Sequence, residues 1–245
     1  MLLRKLGTGF AVAAVALVGS LGSATADGMP GRGYGGACCL SWTGFYVGAH
    51  LGYGRSEVDW ADVSLTGEPV HNDGRGFLGG GQIGFNWQSG NVVFGVEGTL
   101  SRTNIDDDYR SVVVPAAVAY STDINWIGTV AGRLGFASGP ALVYAKAGWA
   151  TANVELSGRQ TAIGDAFSLD DRRNGWVVGA GFEYMVSRNL TLGLEYNFID
   201  LGNTSYAGFT RTGLPYTITD ADVEIHTVTA RLNFKFGRDE PRPLK

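Results

Sequence analysis

Eight separate stretches of this chain alternate apolar with polar or small residues one by one, and a period of two is the mark of a β-strand whose two faces meet different surroundings. In 42–53, Phe45, Val47, Ala49, Leu51 and Tyr53 share one face, while Tyr46, Gly48, His50 and Gly52 share the other. In 77–88, Phe77, Ile83, Phe85 and Trp87 oppose Gln82, Gly84, Asn86 and Gln88. In 92–101, Val92, Phe94, Val96 and Leu100 oppose Glu97, Thr99 and Ser101. The split continues in 124–136, with Trp126, Val130, Leu134 and Phe136 against Asn125, Thr129 and Arg133, and in 141–151, with Val143, Ala145, Ala147 and Trp149 against Tyr144 and Lys146. Trp176, Val178, Ala180, Phe182 and Tyr184 then oppose Gly179, Gly181 and Glu183, and Leu190, Leu192, Leu194, Tyr196 and Phe198 oppose Thr191, Glu195 and Asn197. The last stretch sets Val228, Ala230, Leu232, Phe234 and Phe236 against Thr227, Thr229, Arg231, Asn233 and Lys235. Each stretch has the roughly ten residues that a tilted strand needs to cross a bilayer.

The connections alternate as well. Those at 89–91, 137–140 and 186–189 are tight, whereas 54–75, 102–123, 152–173 and 202–221 are long. Short periplasmic turns and longer extracellular loops are the asymmetry of an outer-membrane barrel with both termini in the periplasm. The pattern therefore predicts an all-β fold, an eight-stranded antiparallel transmembrane β-barrel. A water-soluble barrel would need its charged face outward, and the loop rhythm gives no reason for that arrangement.

The chemistry of the two faces decides which one is inside. An isolated charge is costly in an apolar medium unless it is paired. Glu97, Arg133, Lys146, Glu183, Glu195 and Arg231 are three acids and three bases, so one shared lumen in which the signs compensate is the expected place for them. The opposite face then meets outer-membrane lipid, with Trp87, Trp126, Trp149, Trp176 and Tyr184 as interfacial girdle residues. Glycines such as Gly48, Gly84, Gly95, Gly179 and Gly193 fall mostly on the inward face, where a narrow barrel leaves little room. Gly84-Phe85 and Gly95-Val96-Glu97 recur as Gly181-Phe182 and Gly193-Leu194-Glu195, an echo that suits a structure built from hairpins.

Composition removes other classes. Mean hydropathy is +0.03, yet after the N-terminus no run approaches the roughly 18 apolar residues of a membrane-spanning helix. A net charge of −4 offers no basic footprint for nucleic acid. At the N-terminus, Arg4 and Lys5 precede an apolar run from Leu6 to about Leu21 and the small-residue site Ala24-Thr25-Ala26. This is the layout of a secretory signal peptide cleaved after Ala26, which implies export to the cell outer membrane. A glycine-rich periplasmic leader at 27–41 follows, then the barrel at 42–236 and a C-terminal extension at 237–245. Cys38 and Cys39 adjoin, which strains a disulfide between them. Gly35, three positions earlier, does not suit a lipid-anchor site; an unremarkable pair or an intermolecular bridge is the expectation, ahead of a metal or redox role.

At 42–54 (WTGFYVGAHLGYG), 92–98 (VVFGVEG), 175–184 (GWVVGAGFEY) and 192–202 (LGLEYNFIDLG), the chain resembles the small porin-like outer-membrane proteins of Gram-negative bacteria, with the opacity-type and OmpA-type eight-stranded barrels. The resemblance covers about 42–236 and implies a single-domain barrel. It also implies that Leu232, Phe234 and Phe236 form the terminal signal read by the barrel-assembly machinery, although GRDEPRPLK follows here.

Eight strands enclose an interior that side chains can fill, so a structural or surface-interaction role with a plugged or very narrow lumen is expected, its loops meeting an extracellular ligand. A low-conductance porin for ions or small solutes is the alternative. No catalytic residue, cofactor or metal is expected. His50, His71 and His226 are the only histidines; His71 lies in the first long connection and His226 near the outer end of the last strand, neighbours in a closed barrel. Asp106-Asp107-Asp108 lacks the spaced ligands and turn glycine of a calcium loop.

Overall fold

Strands that are apolar on one face and polar on the other leave no edge exposed only if the sheet closes on itself. In a computed structural model of the protein this closure occurs. The structure describes residues 40–62, 69–110, 118–160, 165–209 and 215–236. Eight strands follow in chain order: β1 Gly44–Asp62, β2 Pro69–Ser89, β3 Val92–Arg110, β4 Val118–Ser138, β5 Ala141–Gln160, β6 Asp165–Met185, β7 Leu190–Phe209 and β8 Pro215–Phe236. Every neighbouring pair is antiparallel, and β8 returns to β1, with Phe45 opposite Phe236, to close the barrel. No helix among the described residues is long and apolar enough to cross a membrane.

The strands are 19 to 22 residues long, about twice the expected length. Most of 54–75, 102–123, 152–173 and 202–221, read above as loops, is strand instead. The reason is physical. Beyond the bilayer both faces of a strand are wet, so the apolar alternation ends while the backbone ladder continues: Arg55↔Arg75 through Ala61↔Pro69 carries β1 and β2 well past the membrane. The tight turns stand where expected, with Gly90 (φ 62) and Gly139 (φ 58) supplying the left-handed conformation that short hairpin turns need.

The face assignment agrees with the alternation. Leu51, Phe77, Trp87, Val96, Leu100 and Leu194 are exposed on the outer wall, and the charged face points into the lumen. The outer wall carries two aromatic girdles. Trp87, Phe136, Tyr184 and Phe236 lie toward the turn end. Tyr53 and Phe77 are paired edge to face at 5.6 Å on the extracellular side, where Trp149 also stands opposite Trp176.

The lumen holds more than the charges. On the extracellular side Ile105, Ile124, Ile127, Ile199, Val223 and Ile225 form a buried apolar layer. A register shift between Ile124 and Trp126 is a β-bulge that turns Ile124 inward, where strict alternation from Thr129 would have pointed it outward. At the periplasmic mouth Trp42, 1% exposed, packs with Val93, Ala137, Leu142, Tyr144 and Met185. Trp42 was read as the start of the first strand; it precedes β1 and fills the opening, its backbone N–H donating to Gln88 Oε1 at 2.7 Å.

Candidate functional site

Between those two apolar layers lies the charge cluster. It is built twice. Tyr46 on β1 donates its hydroxyl proton to Glu97 Oε2 on β3 at 2.7 Å, and Arg133 on β4 donates from Nη1 to the Tyr46 oxygen at 2.8 Å and to Glu97 at 3.3 Å. Tyr144 on β5 donates to Glu195 Oε2 on β7 at 2.6 Å, and Arg231 on β8 donates to the Tyr144 oxygen at 2.9 Å and to Glu195. The sequence separations are identical in the two sets, 51 from Tyr to Glu, 87 from Tyr to Arg and 36 from Glu to Arg. Strands β1 to β4 and β5 to β8 thus carry the same Tyr-Glu-Arg unit, and the Gly-Phe and Gly-x-Glu echoes belong to this repeat.

Lys146 ties the units together, donating to Glu97 at 3.3 Å and Glu195 at 2.7 Å, and Arg231 Nη2 also reaches Glu97. Arg133 Nη2 donates to Glu183 Oε1 at 2.9 Å, and its guanidinium lies 3.8 Å from the centre of the Tyr144 ring. All six charged residues predicted to share the lumen are therefore in one network, each no more than 4% exposed. Three positive and three negative groups leave it neutral, which is what makes burial tolerable. Two glycines make room: a Cβ at Gly84 would collide with the Tyr46 ring, and one at Gly181 with the Tyr144 ring. Sequence reading placed both tyrosines on the inward face but did not name them as partners of the carboxylates.

Above the charges is a cavity of about 30 Å³, lined in part by His50, Ser101, Thr129, Lys146, Glu195 and Arg231. That is room for about two water molecules. His50 sits at its wall with Nδ1 2.7 Å from Gln82 Oε1 and Nε2 2.8 Å from Ser101 Oγ. An amide oxygen only accepts, so Nδ1 carries the proton and Nε2 accepts from the Ser101 hydroxyl. Gln82 Nε2 in turn donates to Asn233 Oδ1 at 2.7 Å. This serine-histidine pair was not foreseen, because the two residues are 51 positions apart on strands that do not adjoin.

His71 and His226 are not brought together. His71 is opposite Asp59 and His226 opposite Arg55, on strands flanking β1 and out of step along it. Leu232, Phe234 and Phe236 lie on the outer wall of β8, 44 to 49% exposed. Ala24, Ala26, Cys38 and Cys39 lie outside the described residues, as do the side chains of Asp106, Asp107 and Asp108.

Comparison with known proteins gives consistent findings. The model of the outer membrane protein β-barrel domain matches residues 11–236. The 31 kDa outer-membrane immunogenic protein of Brucella melitensis is 32% identical over 211 residues, covering 80% of this chain and 85% of that protein. The 22 kDa outer membrane protein of Rhizobium leguminosarum bv. viciae is 34% identical over 169 residues, 68% of this chain and 67% of that one. Among solved structures, the outer membrane protein OprG of Pseudomonas aeruginosa superposes with a TM-score of 0.53 at 12% identity, covering 79% of this chain and 97% of that chain. At that identity the likeness concerns the fold.

Proposed function

Since the chain belongs to the outer-membrane β-barrel family and is an outer-membrane protein, we propose that it serves as a closed barrel, a structural and surface-interacting element of the cell envelope. The observation that carries this reading is the layered lumen. Trp42 and its neighbours fill the periplasmic mouth, six paired charges fill the middle, and the isoleucine-rich layer fills the extracellular part. An ion crossing it would have to separate buried ion pairs and pass two dry layers, each unfavourable by several kcal/mol.

The outer wall, with Leu232, Phe234 and Phe236 on its last strand, suits contact with outer-membrane lipid and handling by the barrel-assembly machinery. The strand ends beyond the membrane and their connections supply the surface for an extracellular ligand. The Ser101-His50-Gln82 chain has the order of a nucleophile, base and orienting group, but the cavity beside it, beneath the apolar layer, has room for about two waters. We assign it to holding the lumen together, not to catalysis. In planar bilayers the purified folded protein is expected to give no sustained channel steps. Steady openings on the nanosiemens scale would replace this reading with that of a small porin.

A further inference from the structure

On the outer wall, just beyond the extracellular girdle, the ligand atoms of Glu57, Glu224 and His226 lie within 4.8 Å of one another. We propose that these three residues bind a divalent transition-metal ion, with Zn²⁺ as the representative case. The register builds the site. Glu57 on β1 is directly opposite Glu224 on β8, and His226 follows two residues later on the same face of β8, opposite Arg55. Three donors on two hydrogen-bonded strands are held more firmly than donors on loops.

The donor set suits this class of ion. Imidazole with carboxylates favours zinc and its neighbours over calcium or magnesium, and three protein ligands leave at least one coordination position open. Bonds of about 2.0–2.2 Å require donors some 3–4 Å apart, so side-chain shifts of about an ångström complete the geometry. A second shell is present. His226 Nδ1 is 2.8 Å from the Tyr196 hydroxyl, and the Phe198 ring lies 5.0 Å from the imidazole. With its proton on Nδ1, the ring would donate to the Tyr196 oxygen and leave the Nε2 lone pair for a metal. That is the manner in which metal-bound histidines are usually oriented.

A bound cation would also relieve repulsion between acidic neighbours. Like charges opposed across strands destabilise a sheet. Here Glu224 faces Glu57 on one side and Asp200 on the other. Arg55 is the nearby base. Its Nη2 is 3.3 Å from Glu57 but 2.9 Å from Asp73, an exposed partner it can keep when Glu57 turns to a metal. Arg75, opposite Arg55 on β2, is a second base among the described residues.

The test is calorimetric titration of Zn²⁺ into the full-length chain, folded in detergent micelles, with Cys38→Ser and Cys39→Ser to remove competing thiols. Unboiled gel mobility confirms the folded barrel in every variant. One Zn²⁺ per chain is expected. E57Q, E224Q and H226N should each weaken binding at least tenfold, Y196F about tenfold, and R55Q should tighten it by removing a competitor for Glu57. Failure to saturate at one ion per chain, or wild-type affinity in any one of the three ligand variants, overturns the proposal.

Discussion

Replacing Glu97 by Gln is expected to lower the stability of the folded barrel by about 3–5 kcal/mol, the usual penalty for removing one partner from a buried ion pair. Glu97 pairs with all three cations of the lumen network, accepting from Arg133, Lys146 and Arg231 as well as from Tyr46. With glutamine in its place, three cations face two carboxylates, Glu183 and Glu195, in a space buried from bulk solvent. The side chain keeps its shape, so the loss measures charge and not volume. Urea unfolding in micelles, followed by tryptophan fluorescence, reads the effect. A second substitution sharpens it. Lys146→Met in the same chain restores neutrality, and the double variant is expected to be at least about 1 kcal/mol more stable than the two single losses added together. A Glu97→Gln protein within about 0.5 kcal/mol of the original would mean that the network carries no net electrostatic weight.

The neighbouring residue tests the opposite face. Val96 is 63% exposed on the outer wall, opposite Phe85 on β2 and Gly132 on β4, and it lies about midway between the two aromatic girdles. Val96→Arg is expected to cost roughly 2–4 kcal/mol, because an arginine at the bilayer midplane must shed its water or drag water into the hydrocarbon. Depth, not exposure, sets this penalty. Arg102 occupies the same face of β3 at the extracellular end of the apolar span, opposite Trp126, where a native arginine is tolerated. The measurement is the yield and urea midpoint of the barrel refolded into lipid vesicles. Substituting one position earlier or later on β3 would probe the lumen instead, so the sign of the error in any face assignment would be visible at once.

How much of this was legible in the sequence follows from where water stops. Inside the bilayer each strand must separate lipid-facing from lumen-facing residues, and this constraint wrote the period of two that located all eight strands. The same constraint exposed Glu97, Arg133, Lys146, Glu183, Glu195 and Arg231 as a set, since none could face hydrocarbon alone. Beyond the membrane the constraint lapses. The outer halves of the strands, such as Arg55 to Asp62, looked like loop because both faces there tolerate polar residues. The apolar layer was hidden for another reason. Ile124 turns inward only because of the bulge beside it, and a bulge leaves no mark in a pattern of polarity. Trp42 stands at the head of the first alternating stretch but two residues before β1, and its position in the mouth depends on contacts with four strands that sequence spacing does not reveal.

The metal-ligand cluster was missed through the same limit on reading register. His226 was recognised as a rim residue, but its partners Glu57 and Glu224 gain meaning only when β8 is aligned with β1. The predicted neighbour, His71, is offset along β1 instead. Closure of the barrel was legible; the exact stagger of its first and last strands was not.

Tryptophan quenching by brominated lipid tests the inside-outside arrangement most directly. Two proteins, each keeping one tryptophan and carrying phenylalanine at the others, are reconstituted in phospholipid brominated in the upper part of the acyl chain. Trp149, 51% exposed on the outer wall, should be strongly quenched, whereas Trp42, 1% exposed inside the mouth, should not be. Equal quenching of both, or a bright Trp149 beside a quenched Trp42, would contradict the arrangement on which the closed lumen rests.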